Sequence, residues 1–267
     1  MINIIVSGAA GRMGMRIIAL AGDNKELNII GGLEYSGHNK LGTDLGEIAG
    51  TGTIGVTLSD NISDIKGKAD VLIEFSNPET SLKHLKTASE KGISMVIGTT
   101  GFSKEEISTI QLYAQKMPCV FAHNMSVGVN LLLKVLGDVA KVLGDDYDVE
   151  IVESHHRLKK DAPSGTAVKM AQVIAEALNR NLDETAVYAR KGLIGERATK
   201  EIGIQTVRAG DIVGEHTVLF GGLGERIEIT HKASSRDTFA RGALKAALWV
   251  SKQHPGLYDM QDVLGLK

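Results

Sequence analysis

Residues Ile2 to Val6 form an apolar, largely β-branched run, and Gly8-Ala9-Ala10-Gly11-Arg12-Met13-Gly14 follows it almost at once. Such a run suits a strand buried on both faces, the kind found in parallel sheets covered by helices. Beyond the glycines an apolar helical pattern runs through Ile17, Ile18 and Ala21. The theme repeats. A second strand is predicted over Leu27 to Leu33, and further strands at Val71 to Ile73, Met95 to Ile97 and Cys119 to Phe121. Amphipathic helices are predicted over Ser81 to Lys91 and Lys104 to Lys116. Strands that alternate with helices over short loops predict an α/β fold with a Rossmann-type, doubly wound parallel sheet.

In that setting the glycines acquire a purpose. Gly8 permits a tight turn, Gly11 lets backbone approach a pyrophosphate, and Gly14 allows helix to pack on strand. Glu34 ends the second strand, 20 positions past Gly14, where an acid can bind the adenine ribose hydroxyls. The motif departs from G-x-G-x-x-G, since Ala10 takes the second glycine position. A glycine pattern alone could be a turn with no ligand; strand, helix and acid in register favour dinucleotide binding. Two more loops follow predicted strands, Gly98-Thr99-Thr100-Gly101 and Ala122-His123-Asn124-Met125. Either lines a nicotinamide ribose site or is simple turn chemistry.

After Asn124 the pattern changes. Val129 to Leu143 is an apolar helix with Leu132, Val135, Leu136, Val139 and Leu143 at helical spacing. A strand is predicted over Asp148 to Glu153, and three more strand-like runs follow from Ile202: IGIQTVRAG, EHTVLFGG and ERIEITHKA. Their mixed polarity predicts a sheet with one face exposed or facing a partner. The last helix, Thr238 to Lys252, is expected to return to the first domain. The expected division is a dinucleotide-binding domain over residues 1–126, an inserted α+β domain for substrate binding and oligomerisation over 127–237, and a returning helix over 238–267.

Composition narrows the function classes. With 30 Lys+Arg against 32 Asp+Glu, the net charge of -2 gives no mark of a nucleic-acid or membrane binder. No stretch approaches ~18 uninterrupted apolar residues, and the N-terminus lacks a basic leader, so a cytoplasmic protein is expected. The single cysteine, Cys119, excludes an intramolecular disulfide and sits in an apolar stretch.

The densest chemistry lies in VESHHRLKKDAPSGTA, Val152 to Ala167. In an extended strand His155, Arg157 and Lys159 share one side; in a helical turn His155 and Lys159 still share a face. His156 reaches the same ligand only by a bend. Ser164 can cap a helix running through Val168, Ala171, Ile174 and Leu178, which leaves the amides of Gly165 and Thr166 at a positive helix end suited to a carboxylate or phosphate. Composition alone favours a solvated surface loop and an ordinary cap. A metal site is disfavoured, because there is no His-x-x-x-His, Cys pair or acidic cluster at ligand spacing. The nucleotide domain upstream, which calls for a second substrate held nearby, raises the catalytic reading.

This segment, taken with GAAGRMG, FAHNMSVGVN, RAGDIVGEHTV and THKASSRDTFARGA, closely resembles the 4-hydroxy-tetrahydrodipicolinate reductase family, long called dihydrodipicolinate reductase. The resemblance spans essentially the whole chain. It implies reduction of a cyclic dicarboxylate, 4-hydroxy-tetrahydrodipicolinate, to tetrahydrodipicolinate with loss of water, in the diaminopimelate branch of lysine biosynthesis, with hydride from NADH or NADPH. It implies His155 as proton donor/acceptor and Lys159 as second proton donor, with His156, Gly165 and Thr166 at substrate-binding positions. Nucleotide contacts are implied at Gly8, Ala9, Ala10, Gly11, Arg12, Met13, Glu34, Gly98, Thr99, Thr100, Ala122, His123, Asn124 and Met125, and a homotetramer assembled through the inserted domain's sheet. The residues themselves leave open whether His155 or Lys159 delivers the proton.

Two positions depart from the family's pattern. Tyr35 stands where many relatives carry an Arg that pairs with the 2′-phosphate of NADPH, and Glu34 repels such a phosphate. A preference for NADH is therefore predicted, with Arg12 the one obvious cation to rescue NADPH. The second is His123, where a small residue or proline is expected. Rival readings are a dehydrogenase for another small anion, disfavoured by the lack of a placed nucleophilic cysteine, a nucleotide-sensing module without chemistry, and a metal-dependent hydrolase.

Overall fold

The computed structural model describes residues 1–267. Numbered along the chain, its strands are β1 (Ile2–Ser7), β2 (Leu27–Leu33), β3 (Leu58–Ser59), β4 (Val71–Glu74), β5 (Ser94–Ile97), β6 (Pro118–Phe121), β7 (Asp148–His155), β8 (Ala186–Val187), β9 (Ile202–Arg208), β10 (Gly214–Gly221), β11 (Arg226–Ala233) and β12 (Gly256–Tyr258). The α-helices are α1 (Arg12–Gly22), α2 (Leu45–Ala49), α3 (Pro78–Lys91), α4 (Lys104–Ala114), α5 (Val127–Leu143), α6 (Gly165–Ala177), α7 (Leu182–Thr185), α8 (Asp237–Val250) and α9 (Met260–Leu264). They divide between two compact units, Met1–Val127 with Arg236–Lys267, and Gly128–Ser235.

The first unit holds a seven-stranded, all-parallel sheet in the order β12-β6-β5-β4-β1-β2-β3. Its apolar strands are explained by burial on both faces. Ile4, Val6, Val71, Ile73, Val96 and Val120 point into one core with Ile17 and Ile18 of α1 and Ala243 and Ala247 of α8. Their neighbours Ile5, Leu72, Met95, Ile97 and Cys119 point into the other, with Leu85 and Ala88 of α3 and Ile110 of α4. Alternation along a strand thus sends every second residue to a different set of helices, so the strand interiors are apolar and the polar residues Ser7, Glu74 and Ser94 fall at strand ends.

Local signals set the helix ends. Helix α3 starts at Pro78, earlier than the apolar periodicity predicts, because the Asn77 side chain accepts the Thr80 N–H and Pro78 occupies the first turn. A Ser103–Glu106 capping box opens α4. Three short strands (β3, β8, β12) and three short helices (α2, α7, α9) have no counterpart in the sequence reading. Each has five residues or fewer, too few for a period to show.

The second unit carries a mixed five-stranded sheet, β11-β10-β7-β9-β8, antiparallel around β10 and parallel from β7 to β8. Leu132 and Leu136 of α5 and Met170 and Ile174 of α6 pack with Val149, Ile151, Ile202, Ile204, Val218 and Phe220. The opposite face bears Val152 and Val207, both over a third exposed, and the hydrogen-bonded pair Thr217–Thr230. Strand β7 runs two residues past the predicted end, since its parallel register with β9 continues to His155↔Arg208. No helix is long and apolar enough to cross a membrane.

Candidate active site

In the first unit, adjacent parallel strands bring three loops to one edge of the sheet, the edge where open α/β sheets bind ligands. The turn after β1 is shaped by its glycines. Gly8 has φ +70°, and a Cβ there would lie 2.3 Å from the Phe75 carbonyl oxygen. A Cβ on Gly14 would lie 2.1 Å from the Gly8 carbonyl oxygen and 2.6 Å from Ala9 Cα. Gly11 caps α1 without any side-chain hydrogen bond, and the first turn holds no acid. A close backbone approach and uncapped amides at a positive helix end fit the pyrophosphate of a dinucleotide.

Glu34 follows β2 and is held facing this turn, its Oε1 accepting the Ala10 N–H at 3.1 Å. Tyr35 beside it is 67% exposed and sits edge-on to His38. Phe75 links the first loop to the second, because a Cβ on Gly98 would fall 2.2 Å from its ring. Thr99 is buried and its hydroxyl belongs to the protein, accepting from the Ser76 N–H at 3.1 Å and bonding Ser81 Oγ at 3.0 Å. Thr100 is exposed. In the third loop Ala122 and Met125 are buried, Asn124 Oδ1 accepts the Ser126 N–H at 2.9 Å, and exposed His123 lies edge-on to Phe121.

Behind these loops lies a group the sequence reading missed. Glu74, wholly buried at the end of β4, bonds His84 Nδ1 at 2.7 Å and accepts from the N–H and hydroxyl of Ser76. Ser7 Oγ lies 3.3 Å from the same His84 nitrogen. The pair knots the ends of β1 and β4 to α3. A lone Glu closing an apolar run was its only trace in the sequence.

The second unit assembles the VESHHRLKKDAPSGTA residues around one buried carboxylate. His155 is the last residue of β7, and its Nδ1 lies 2.6 Å from Glu153 Oε2. Arg208 donates to Glu153 through both terminal nitrogens at 2.8 Å, Thr206 Oγ1 donates at 3.2 Å, and the Ser164 N–H at 3.0 Å. Beyond His155 the chain is neither strand nor helix. A turn closed by Lys159 N–H to the His156 carbonyl at 3.1 Å rests on Gly210, whose carbonyl accepts from Arg157 N–H. His156 Nδ1 is buried without a partner, and Lys159 Nζ pairs with Asp161 at 2.8 Å. Ser164 caps α6 by accepting the Ala167 N–H, so Gly165 and Thr166 form its first turn, and a Cβ on Gly165 would meet nothing within 4 Å.

Charges in this cluster pull against burial. Burial works to raise the Glu153 carboxyl, but Arg208, His155 and the Ser164 N–H outweigh it and bring it down to about 2. Desolvation lowers His155 and, despite the opposing pull of Glu153, leaves it below the ordinary imidazole value; Lys159 and Arg208 add to the depression. His216, edge-on to His155 with centroids 5.2 Å apart, is driven down to about 4 by burial and then by His155. It is a neutral group, its Nε2 at 3.0 Å from Ser164 Oγ. Desolvation also works to raise Asp161, yet its bond to Lys159 holds it below the usual range. Glu153, Arg208 and His216 escaped the sequence reading: Glu153 was read as a strand residue, and the others lie 55 and 63 positions away on β9 and β10.

Residues 2–125 match the family model for dihydrodipicolinate reductase, N-terminus, and residues 128–264 the model for its C-terminus. The chain belongs to the dihydrodipicolinate reductase family. It is accordingly an oxidoreductase whose N-terminal domain takes a pyridine nucleotide. It is 56% identical to the 4-hydroxy-tetrahydrodipicolinate reductase of Syntrophus aciditrophicus and 57% identical to that of Geobacter sulfurreducens, with all of both chains covered in each case. Among solved structures it is similar to a dipicolinate-bound dihydrodipicolinate reductase from Paenisporosarcina sp. TG-14, with TM-score 0.74 and 26% identity over 98% of each chain. An amine dehydrogenase from Mycobacterium smegmatis, at TM-score 0.59 and 15% identity over 96% of this chain and 94% of that one, shares the fold alone.

Proposed function

We propose that this chain reduces 4-hydroxy-tetrahydrodipicolinate to tetrahydrodipicolinate, with loss of water, in the diaminopimelate route to lysine. The observation that carries this reading is the cluster around His155: a titratable ring and the N-terminus of α6 both tied to the buried Glu153, with the Lys159 cation, paired to Asp161, in the turn between them. A cyclic dicarboxylate has two anionic groups to anchor, for which the Gly165 and Thr166 amides at a positive helix end, His156 and Lys159 are suited partners. A bound reduced pyridine nucleotide supplies the hydride. The chain's part is to hold the substrate and deliver a proton to the site that has gained negative charge. His155 is the proton donor and Lys159 the second, stabilising the developing charge as a cation.

Residues 1–126 and 238–267 form the nucleotide domain in this reading, and 127–237 the substrate and oligomerisation domain. The Gly8–Met13 turn would hold the pyrophosphate, Glu34 the ribose hydroxyls, and the Gly98–Thr100 and Ala122–Met125 loops the nicotinamide half. NADH is the preferred form. Glu34 is anchored by the Ala10 N–H, and exposed Tyr35 offers no cation to a 2′-phosphate, leaving Arg12 as the one residue to attract NADPH. A homotetramer is supported by the uncovered face of the second sheet, with Val152 and Val207 exposed on it.

Initial rates on freshly prepared substrate, with NADH and NADPH compared, test this reading. His155→Gln and Lys159→Ala should each lose about 10²–10⁴-fold in turnover yet bind nucleotide normally. A wild-type protein that oxidises neither cofactor would leave the nucleotide-sensing module as the better account.

A further inference from the structure

We propose that Glu153 is a positioning residue for both halves of the substrate site, fixing the ring of His155 with one carboxylate oxygen and the N-terminus of α6 with the other. The inference rests on the reading of His155 as proton donor. Glu153 Oε2 bonds His155 Nδ1 at 2.6 Å, while Oε1 accepts the N–H of Ser164, the cap of α6, at 3.0 Å. Arg208 spans both oxygens at 2.8 Å and Thr206 Oγ1 adds a fifth bond, so the carboxylate has no freedom to rotate. An ionised acceptor at Nδ1 makes that nitrogen the N–H donor of the neutral ring and leaves Nε2 as the nitrogen that exchanges protons with substrate.

The other side of the ring is set by β10. A Cβ on Gly214 would lie 3.0 Å from His155 Nε2, so the glycine leaves room for the reacting edge. His216 packs edge-on against the ring and its own Nε2 meets Ser164 Oγ, which closes a loop from donor to helix cap. Buried ion pairs contribute little net stability compared with apolar packing. A wholly buried Glu153 paired with the partly buried Arg208 beside the proposed donor is therefore better explained by orientation than by stability.

The charged and titratable groups facing His155 are Glu153 on its own strand, Lys159 in the following turn with Asp161 behind it, Arg208 on β9 and His216 on β10. Of these Glu153 alone makes a direct hydrogen bond to the ring. In Glu153→Gln the ring keeps its cationic neighbours and loses its anionic one, so it gives up its proton at lower pH.

The decisive measurement is nitrogen NMR of the histidine rings in the full-length wild-type enzyme, with His155 assigned by comparison with His155→Gln. A neutral His155 carrying its proton on Nδ1 is expected; a proton on Nε2 overturns the proposal. Steady-state kinetics of Glu153→Gln then provide a second arm. Turnover should fall about 10²-fold, the high-pH fall in rate should move to lower pH, and affinity for dipicolinate should change little. Unchanged turnover and pH profile also overturn the proposal. Should the lone Arg208 prevent folding, Glu153→Gln with Arg208→Gln removes both charges and is expected to show a smaller displacement in the same direction, because one cation facing the ring is lost with the anion. His155→Gln run in parallel separates the two ideas: if it retains full turnover, the donor assignment itself has failed.

Discussion

Gly14 and Gly22 lie on the same helix and should respond oppositely to alanine. Both substitutions reduce the conformational freedom of the unfolded chain and favour helix, a gain of about 0.4–1 kcal/mol. At Gly22 a Cβ meets nothing within 4 Å, so the gain should appear undiminished. At Gly14 the Cβ would stand 2.1 Å from the Gly8 carbonyl oxygen and 2.6 and 2.8 Å from the Cα and C of Ala9. All three are backbone atoms of the turn itself, so relief requires α1 to retreat from β1 by about 1 Å. Overpacking of this kind costs about 1–3 kcal/mol, which outweighs the helix gain. Gly14→Ala should therefore lose a net ~0.5–2 kcal/mol, a drop of roughly 2–6 °C in melting temperature for a domain of this size. The retreat also opens the turn proposed to cradle pyrophosphate, so nucleotide affinity should fall, whereas Gly22→Ala leaves it intact. Calorimetric melting and NADH titration of both variants check the pair. A Gly14→Ala protein as stable as Gly22→Ala and equal to wild type in NADH binding would refute the close-packing argument.

Three further outcomes follow from other sites. Tyr35→Arg places a cation where a 2′-phosphate would sit, and a charged hydrogen bond of about 1.5–3 kcal/mol should raise kcat/KM for NADPH by roughly 10–100-fold relative to NADH; an unchanged ratio would show that Glu34 alone sets the preference. The Glu153 carboxyl is held at about 2 in the folded state, against an ordinary value of 4.5. Its contribution to stability is present above pH ~4.5 and lost as pH falls toward 2, so urea midpoints should decline over that window in wild type, and less steeply in Glu153→Gln. Cys119 is buried, and desolvation pushes its thiol up to about 12, so a disulfide reagent at pH 8 should label it only after denaturation.

Much of the first unit is written locally. The apolar runs at Ile2, Leu27, Val71, Met95 and Cys119 had to be buried on both faces, which calls for a parallel sheet covered by helices on both sides, as observed. Gly8 and Gly14 announced a turn that only glycine can make, and Ser164 a helix start, because φ preference and capping act over a few residues. Short elements such as β3 and α9 stayed hidden, since two and five residues are too few to carry a period.

The site divides along the same line. His155, Lys159 and the α6 cap are neighbours in sequence, so their company was legible. Their arrangement was not. Glu153 looked like any polar residue on a half-exposed strand until Arg208, Thr206 and His216 were delivered to it by strands 50 and more positions away. Glu74 and His84 became a buried pair only when α3 packed back on β4. Hydrogen-bond partners and burial are properties of tertiary register. The sequence therefore determined which groups could carry the chemistry, and the packing of distant strands decided which carboxylate holds them and how they are charged.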